Sequence, residues 1–179
     1  MNKQKIKRMY DAICYYETLG YTNISAPYIV DENFIDITIP SSKSKFKVVD
    51  KFLVASAEQS FLNLHEKLDF NTYYCAYTPC FRDEKEDETH LLFFDKLELF
   101  KISEYFNEKM VKDAFEYFLM MGVKAEIQET KIGYDIIDSK TGIELGSYGF
   151  RRSEELNIGW NYGTGLAEPR LSIVLEKSK

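Results

Sequence analysis

Arg82 stands in the run Cys80-Phe-Arg-Asp-Glu84, ahead of a charged stretch that leads into His90-Leu-Leu-Phe-Phe94-Asp-Lys-Leu-Glu98. An arginine leaving a strand presents a planar fork of donors that can grip a phosphate or a carboxylate through two parallel bonds. An aromatic ring returning on the partner strand, such as Phe94, can stack on a base. The plainer reading is a charged hairpin tip with Phe93 and Phe94 divided between core and surface. Arg170 ends a second run, Gly163-Thr-Gly165-Leu-Ala-Glu-Pro-Arg170. Glycines let backbone approach a phosphate closely, and an arginine on the first turn of a helix adds to the anion preference of that helix end. The third glycine and following acid of the dinucleotide fingerprint are missing. A glycine-rich strand-to-helix turn with a solvated arginine is the alternative.

A third candidate is Glu144-Leu-Gly-Ser147 on a strand. Glu144 and Ser147 would face opposite sides of a regular strand, so sharing one ion requires a bulge, for which Gly146 is suited. Hard oxygen donors of this kind suit Mg2+ held jointly with substrate phosphates. An ordinary surface carboxylate would look the same. Cys75 and Cys80 form no Cys-x-x-Cys pair and read as buried thiols, and His65, toward the end of a helix, reads as a capping or core residue.

The elements that must position these residues follow from periodicity and punctuation. Residues 3–19 carry Ile6, Met9, Tyr10, Ile13, Cys14 and Tyr16 at helical spacing, and Gly20 is a natural stop. Residues 21–30 are rich in strand formers but contain Pro27, which suits an edge or an interface. A strand over 46–54 is followed by Ser56, whose hydroxyl can cap a helix over 57–67. Two aromatic-rich runs, 73–81 and 91–102, flank the polar link and predict a long antiparallel hairpin. A helix over 108–121 ends at Gly122, and a strand begins at 124–128. Residues 134–137 and 142–148 flank Asp-Ser-Lys-Thr-Gly and predict a second hairpin. A strand over 156–160 and a helix over 166–177 complete an α+β domain with a mainly antiparallel sheet, read as one domain over 1–179.

Composition narrows the partners. The 179 residues can bury a core without disulfides, and 29 acidic against 23 basic residues give a formal charge of -6, so no basic face dominates as it does in many nucleic-acid binders. No apolar run is long enough to cross a bilayer, which predicts no membrane partner. The odd cysteine count and the lack of an apolar stretch after the lysine-rich start lead to a cytoplasmic expectation.

Taken in order, these segments resemble the three signature motifs of class II aminoacyl-tRNA synthetases. Leu19-Gly20-Tyr-Thr-Asn-Ile-Ser-Ala-Pro27 resembles motif 1, whose proline lies at the dimer interface. Thr78-Pro-Cys-Phe-Arg82-Asp-Glu84 with His90 and Phe94 resembles motif 2, and the run ending at Arg170 resembles motif 3. Val54-Ala-Ser56-Ala-Glu58, Asn63-Leu-His65, Phe94-Asp-Lys-Leu-Glu98 and Glu144-Leu-Gly-Ser147 point to the seryl branch, and the similarity spans about residues 10 to 177.

The resemblance implies an antiparallel sheet flanked by helices, a homodimer, and activation of an amino acid as its adenylate with ATP and Mg2+. Arg82 would contact the α-phosphate and the amino acid carboxylate, Phe94 would stack on adenine, and Glu84 would lie near the nucleotide or the acceptor end. His90 and Arg170 would hold the outer phosphates, Glu144 and Ser147 would carry Mg2+, and Ser56, Glu58, Glu98 and Thr164 would line the amino acid pocket. The alternative is a non-catalytic paralogue that binds nucleotide or amino acid and regulates a partner. The departures are specific. The seryl enzymes' coiled-coil tRNA arm has no counterpart in these residues, so a tRNA partner would require another subunit. The stretch after Ser147 has none of the cysteines that hold zinc in related carrier-protein ligases, and Tyr162 stands where the seryl pattern has asparagine.

Overall fold

The computed structural model describes residues 2–40 and 42–178. Helix α1 (Lys3–Thr18) starts where the Asn2 side chain accepts the Lys5 N–H at 3.0 Å, and it stops at Gly20, whose φ of 87° favours glycine. Its apolar stripe buries Met9, Ala12 and Tyr16. Strand β1 (Tyr21–Asn23) follows at once. Next come β2 (Ile29–Val30), the short helix α2 (Glu32–Asp36), β3 (Lys47–Val48) and β4 (Lys51–Leu53), where the strands form a small sheet in the order β2-β4-β3.

The main sheet is built from the rest. Helix α3 (Ala57–Asn63), with a 3-10 turn at His65–Lys67, leads into β5 (Tyr73–Phe81) and β6 (Phe93–Ile102). Helix α4 (Lys109–Met120) then precedes β7 (Ala125–Thr130), β8 (Gly133–Asp138), β9 (Glu144–Ser153), β10 (Ile158–Glu168) and α5 (Arg170–Lys177). The seven strands run β1-β5-β6-β10-β9-β8-β7, and all neighbours are antiparallel except β1 beside β5.

Side-chain alternation along β6 divides the interior. Leu97 and Leu99 pack with Tyr16, Met110, Phe118 and Leu171 of α1, α4 and α5, whereas Phe100 and Ile102 pack with Phe61 and Leu62 of α3 and with Trp160. The Phe61 and Phe100 rings stack at 4.6 Å, and truncating either to alanine is worth about 3–5 kcal/mol. Strand β10 is buried along its whole length, which makes it the centre of the molecule.

Several elements differ from the sequence reading. The stretch 46–54 is two strands rather than one, because the chain reverses at Val49 and Asp50 with Val49 at φ 60°. The stretch 21–30 divides into β1 and β2, and the helix expected over 57–67 ends its regular part at Asn63. The last strand continues through Gly163-Thr-Gly165 to Glu168, so the last helix begins at Arg170 rather than at residue 166. Those glycines make close packing, not a turn. A Cβ at Gly163 would lie 2.5 Å from the Tyr148 ring, and one at Gly165 would lie 2.9 Å from the Tyr16 ring. Both tyrosines are fully buried, and their hydroxyls donate to the carbonyls of Thr164 and Gly165.

Candidate active site

Arg82 follows directly on β5, where Phe81 N–H donates to the Val54 carbonyl and Arg82 N–H to the Leu92 carbonyl. Its Nε donates to the Ala55 carbonyl at 3.0 Å, and its guanidinium lies 5.0 Å from the centroid of the Phe94 ring on β6. The side chain is thus held by one bond and one aromatic neighbour, and its guanidinium has no other hydrogen-bond partner among the described residues. Arg170 opens α5, and its guanidinium donates to the Glu144 carboxylate at 2.6 Å and to the Glu144 carbonyl at 3.3 Å.

These two arginines line one cavity of about 100 Å³ together with Glu84, His90, Phe94, Glu144, Ser147 and Thr164. Beside it lies a larger cavity of about 350 Å³, bordered by Ser56, Glu58, Glu98, Arg151 and Tyr162. Arg82, Glu84, Lys96 and Ser147 border both. The cleft therefore has a narrow arm reaching Arg170 and a wide arm reaching α3, with Arg82 at the junction. Thr164 lies on the narrow arm, opposite Glu98 in the register of β10 and β6.

The wide arm is floored by two ion pairs whose carboxylates are buried. Ser56 caps α3 by accepting the Glu58 N–H at 3.3 Å, and its hydroxyl donates to the Glu98 carboxylate, which also takes Lys96 Nζ at 2.8 Å. Glu58 accepts Trp160 Nε1 at 2.7 Å on one oxygen and the Arg151 guanidinium at 2.6 Å on the other. Burial holds the Glu58 carboxyl above the ordinary carboxylate range, and Arg151 opposes that rise. Lys96, Arg151 and Trp160 were given no role from sequence. Nothing in the local pattern around Arg151 or Trp160 reveals a partner 93 or 102 residues upstream.

At the rim, Lys43 bonds the Glu84 carboxylate at 3.1 Å and the Asp83 carbonyl at 3.2 Å, tying the loop before β3 to the loop after β5. His90 is exposed and lies with Nδ1 2.9 Å from the Asp87 carboxylate, whose affinity for protons is depressed first by the Thr89 backbone N–H and then by that imidazole. Cys75 and Cys80 are buried thiols, raised to about 12 and about 11 by loss of solvent. His65 bonds the Leu62 carbonyl within its own turn and borders neither arm.

The Glu144–Ser147 segment is bulged, at Leu145 rather than at Gly146. Ile136 pairs with Gly146 while Ile137 pairs with Glu144, so Leu145 is the extra residue. Asp135, across from Ser147, has its carboxyl raised by burial, and a bond from Ser147 lowers it. Among the described residues no three His, Cys, Asp or Glu side chains are grouped to hold a metal. A carboxylate and a hydroxyl on a cavity wall instead fit Mg2+, which takes few protein ligands and completes its shell with water and phosphate oxygens.

No family model matches the chain. It is similar to the serine--tRNA ligase of Synechococcus sp. (strain JA-3-3Ab), 31% identical over 151 residues that cover 71% of this chain and 32% of the relative. The chain thus spans about a third of the length of the curated relatives it matches. Among solved structures it superposes on a pyrrolysyl tRNA synthetase from Desulfitobacterium hafniense with a TM-score of 0.77 at 17% identity, covering 96% of this chain and 69% of that one. It also superposes on the seryl-tRNA synthetase of Pyrococcus horikoshii complexed with ATP, with a TM-score of 0.72 at 19% identity, covering 91% and 48%.

Proposed function

This chain is a seryl-tRNA synthetase-like core with the class II synthetase fold, and from that premise we propose that it activates an amino acid as its adenylate at the expense of ATP. The observation that carries this reading is the placement of Arg82 and Arg170 on one narrow cavity that opens, past Arg82, into a wider one. A bent triphosphate would occupy the narrow arm, with the α-phosphate at Arg82, adenine on Phe94, and the outer phosphates at Arg170 and His90. The amino acid would occupy the wide arm with its carboxylate on Arg82. Glu84 would border the nucleotide or the incoming acceptor.

In this reaction a carboxylate oxygen of the amino acid attacks the α-phosphorus, the bond to the bridging oxygen breaks, and pyrophosphate departs with the electron pair. The carboxylate is already ionised at neutral pH, so no general base is needed. What the chain supplies is position and fixed positive charge: Arg82 bridges nucleophile and electrophile, and Arg170 receives charge at the leaving end. Mg2+ bound at Glu144 and Ser147 would offset phosphate charge. Because Arg170 is paired with Glu144 in this structure, that pair must loosen or be shared when phosphates enter.

Amino-acid-dependent exchange of labelled pyrophosphate into ATP tests the reading. The expected result is exchange with one amino acid or a narrow set, lowered by about a hundredfold or more in Arg82→Ala. Binding of ATP or amino acid without exchange would instead support the non-catalytic paralogue. The proposal includes a homodimer formed through the segment around Pro27, where Tyr28 and Ile29 are exposed at 43% and 41%.

A further inference from the structure

The wide arm of the cleft holds two arginines prepared in the same way. Arg82 is anchored by one bond to the Ala55 carbonyl and lies 5.0 Å from the Phe94 ring. Arg151 is anchored by one bond to Glu58 and lies 4.3 Å from the Tyr162 ring. The Tyr162 ring is itself held in place, since its hydroxyl and Cζ lie over Gly149, where a Cβ would come within 2.6 Å of the hydroxyl oxygen. Each guanidinium thus lies beside an aromatic ring and has one donor committed. The other donors of each fork have no partner among the described residues.

The partners already committed point the same way. The lining of this arm carries Lys43, Arg82, Lys96 and Arg151 against Glu58, Asp83, Glu84 and Glu98, four cations to four anions. Lys96 and Glu98 neutralise each other, and Glu58 is committed to Arg151 and Trp160. At the mouth, Lys43 pairs with Glu84, and Asp83 accepts from the Ser44 backbone. A neutral zwitterion would satisfy Arg82 through its carboxylate and leave the Arg151 fork facing the cavity alone.

We propose that Arg151 determines substrate choice and that the amino acid taken by this cleft is dicarboxylic, aspartate or glutamate, with its α-carboxylate on Arg82 and its side-chain carboxylate on Arg151. The inference rests on the amino acid occupying the wide arm as proposed above. The second carboxylate of an acidic amino acid matches the planar fork that Arg151 leaves open. Serine has no group that can make that two-pronged contact.

Calorimetric binding of L-aspartate, L-glutamate, L-asparagine, L-glutamine and L-serine to the full chain in the presence of ATP and Mg2+ tests this directly. The expected result is that one of the two acids binds about tenfold or more tighter than its own amide and than serine. In Arg151→Lys, which keeps a cation beside Glu58 but lacks the fork, that preference falls about tenfold while ATP affinity is unchanged. The paired change Glu58→Gln with Arg151→Gln removes both charges of the pair together, so that no carboxylate is left buried without its counterion, and it is expected to abolish discrimination between acid and amide. Serine or an amide binding as tightly as the acids, or neither acid binding, overturns the assignment. The exchange assay separates this from the adenylation reading. Exchange driven by serine and changed less than about twofold by Arg151→Lys sinks the role of Arg151 and leaves adenylation standing. Tight acid binding with no exchange does the reverse.

Discussion

Glu58 is a carboxylate on the first turn of α3, almost fully buried, and its charge is tolerated because Arg151 and Trp160 meet it from the opposite wall. Removing Arg151 alone leaves that charge without its counterion. Arg151→Ala is expected to lose about 2 kcal/mol of stability at pH 7, less than a fully enclosed pair would lose because Arg151 is about a third exposed. The pH dependence has a definite sign. Burial raises the folded-state carboxyl above its unfolded value, and loss of Arg151 raises it further. The folded variant therefore binds a proton more readily than the unfolded chain, and its deficit shrinks as pH falls through the folded pKa toward the unfolded one. Urea unfolding of wild type and variant at neutral pH and near pH 5 measures this; a deficit that is constant or grows on acidification contradicts it. The residue types at this site could be read from sequence wherever a motif carried them, as with Arg82, Phe94, Glu98 and Arg170. Arg151 and Trp160 could not, because their meaning comes from a cross-sheet meeting with Glu58.

Periodicity and capping residues gave the long elements closely, since α1, α4 and the β5–β6 hairpin each combine a strong apolar pattern with a clear stop. The shortest elements escaped for physical reasons. A β-branched Val49 at φ 60° occupies the β3–β4 reversal, where the expected signal is glycine or asparagine, so the two strands read as one. Gly163 and Gly165 carry the composition of a turn, yet they lie within β10 where the buried Tyr148 and Tyr16 rings approach the backbone closely. Gly163→Ala places a methyl 2.5 Å from the Tyr148 ring and is expected to cost about 1–3 kcal/mol by displacing it. Thermal unfolding checks this, and an unchanged midpoint would show that the Tyr148 ring has room to retreat. The same strand carries Thr164 and leads to Arg170, so that variant is also expected to weaken ATP binding, read by calorimetry on the folded protein.

At the scale of the molecule, one sheet presents β5, β6, β9 and β10 as a platform, and the cleft runs along it from α5 to α3. The order of the motifs along the chain implies this platform through the resemblance to class II synthetases. The assembly belongs to the same scale. Tyr28 and Ile29 stand exposed beside Pro27, whose carbonyl accepts the Ser60 hydroxyl, so the segment is fixed to α3. Sedimentation at micromolar concentration is expected to give a dimer, and Tyr28→Asp with Ile29→Asp is expected to give a monomer; a wild-type monomer would contradict the interface. The most direct measurement of the central claim is a crystal structure of the chain with a non-hydrolysable ATP analogue and Mg2+. The account expects one bent triphosphate with its α-phosphate at Arg82, its outer phosphates at Arg170 and its base on Phe94. Nucleotide bound elsewhere, or contacting one of these arginines without the other, would contradict it.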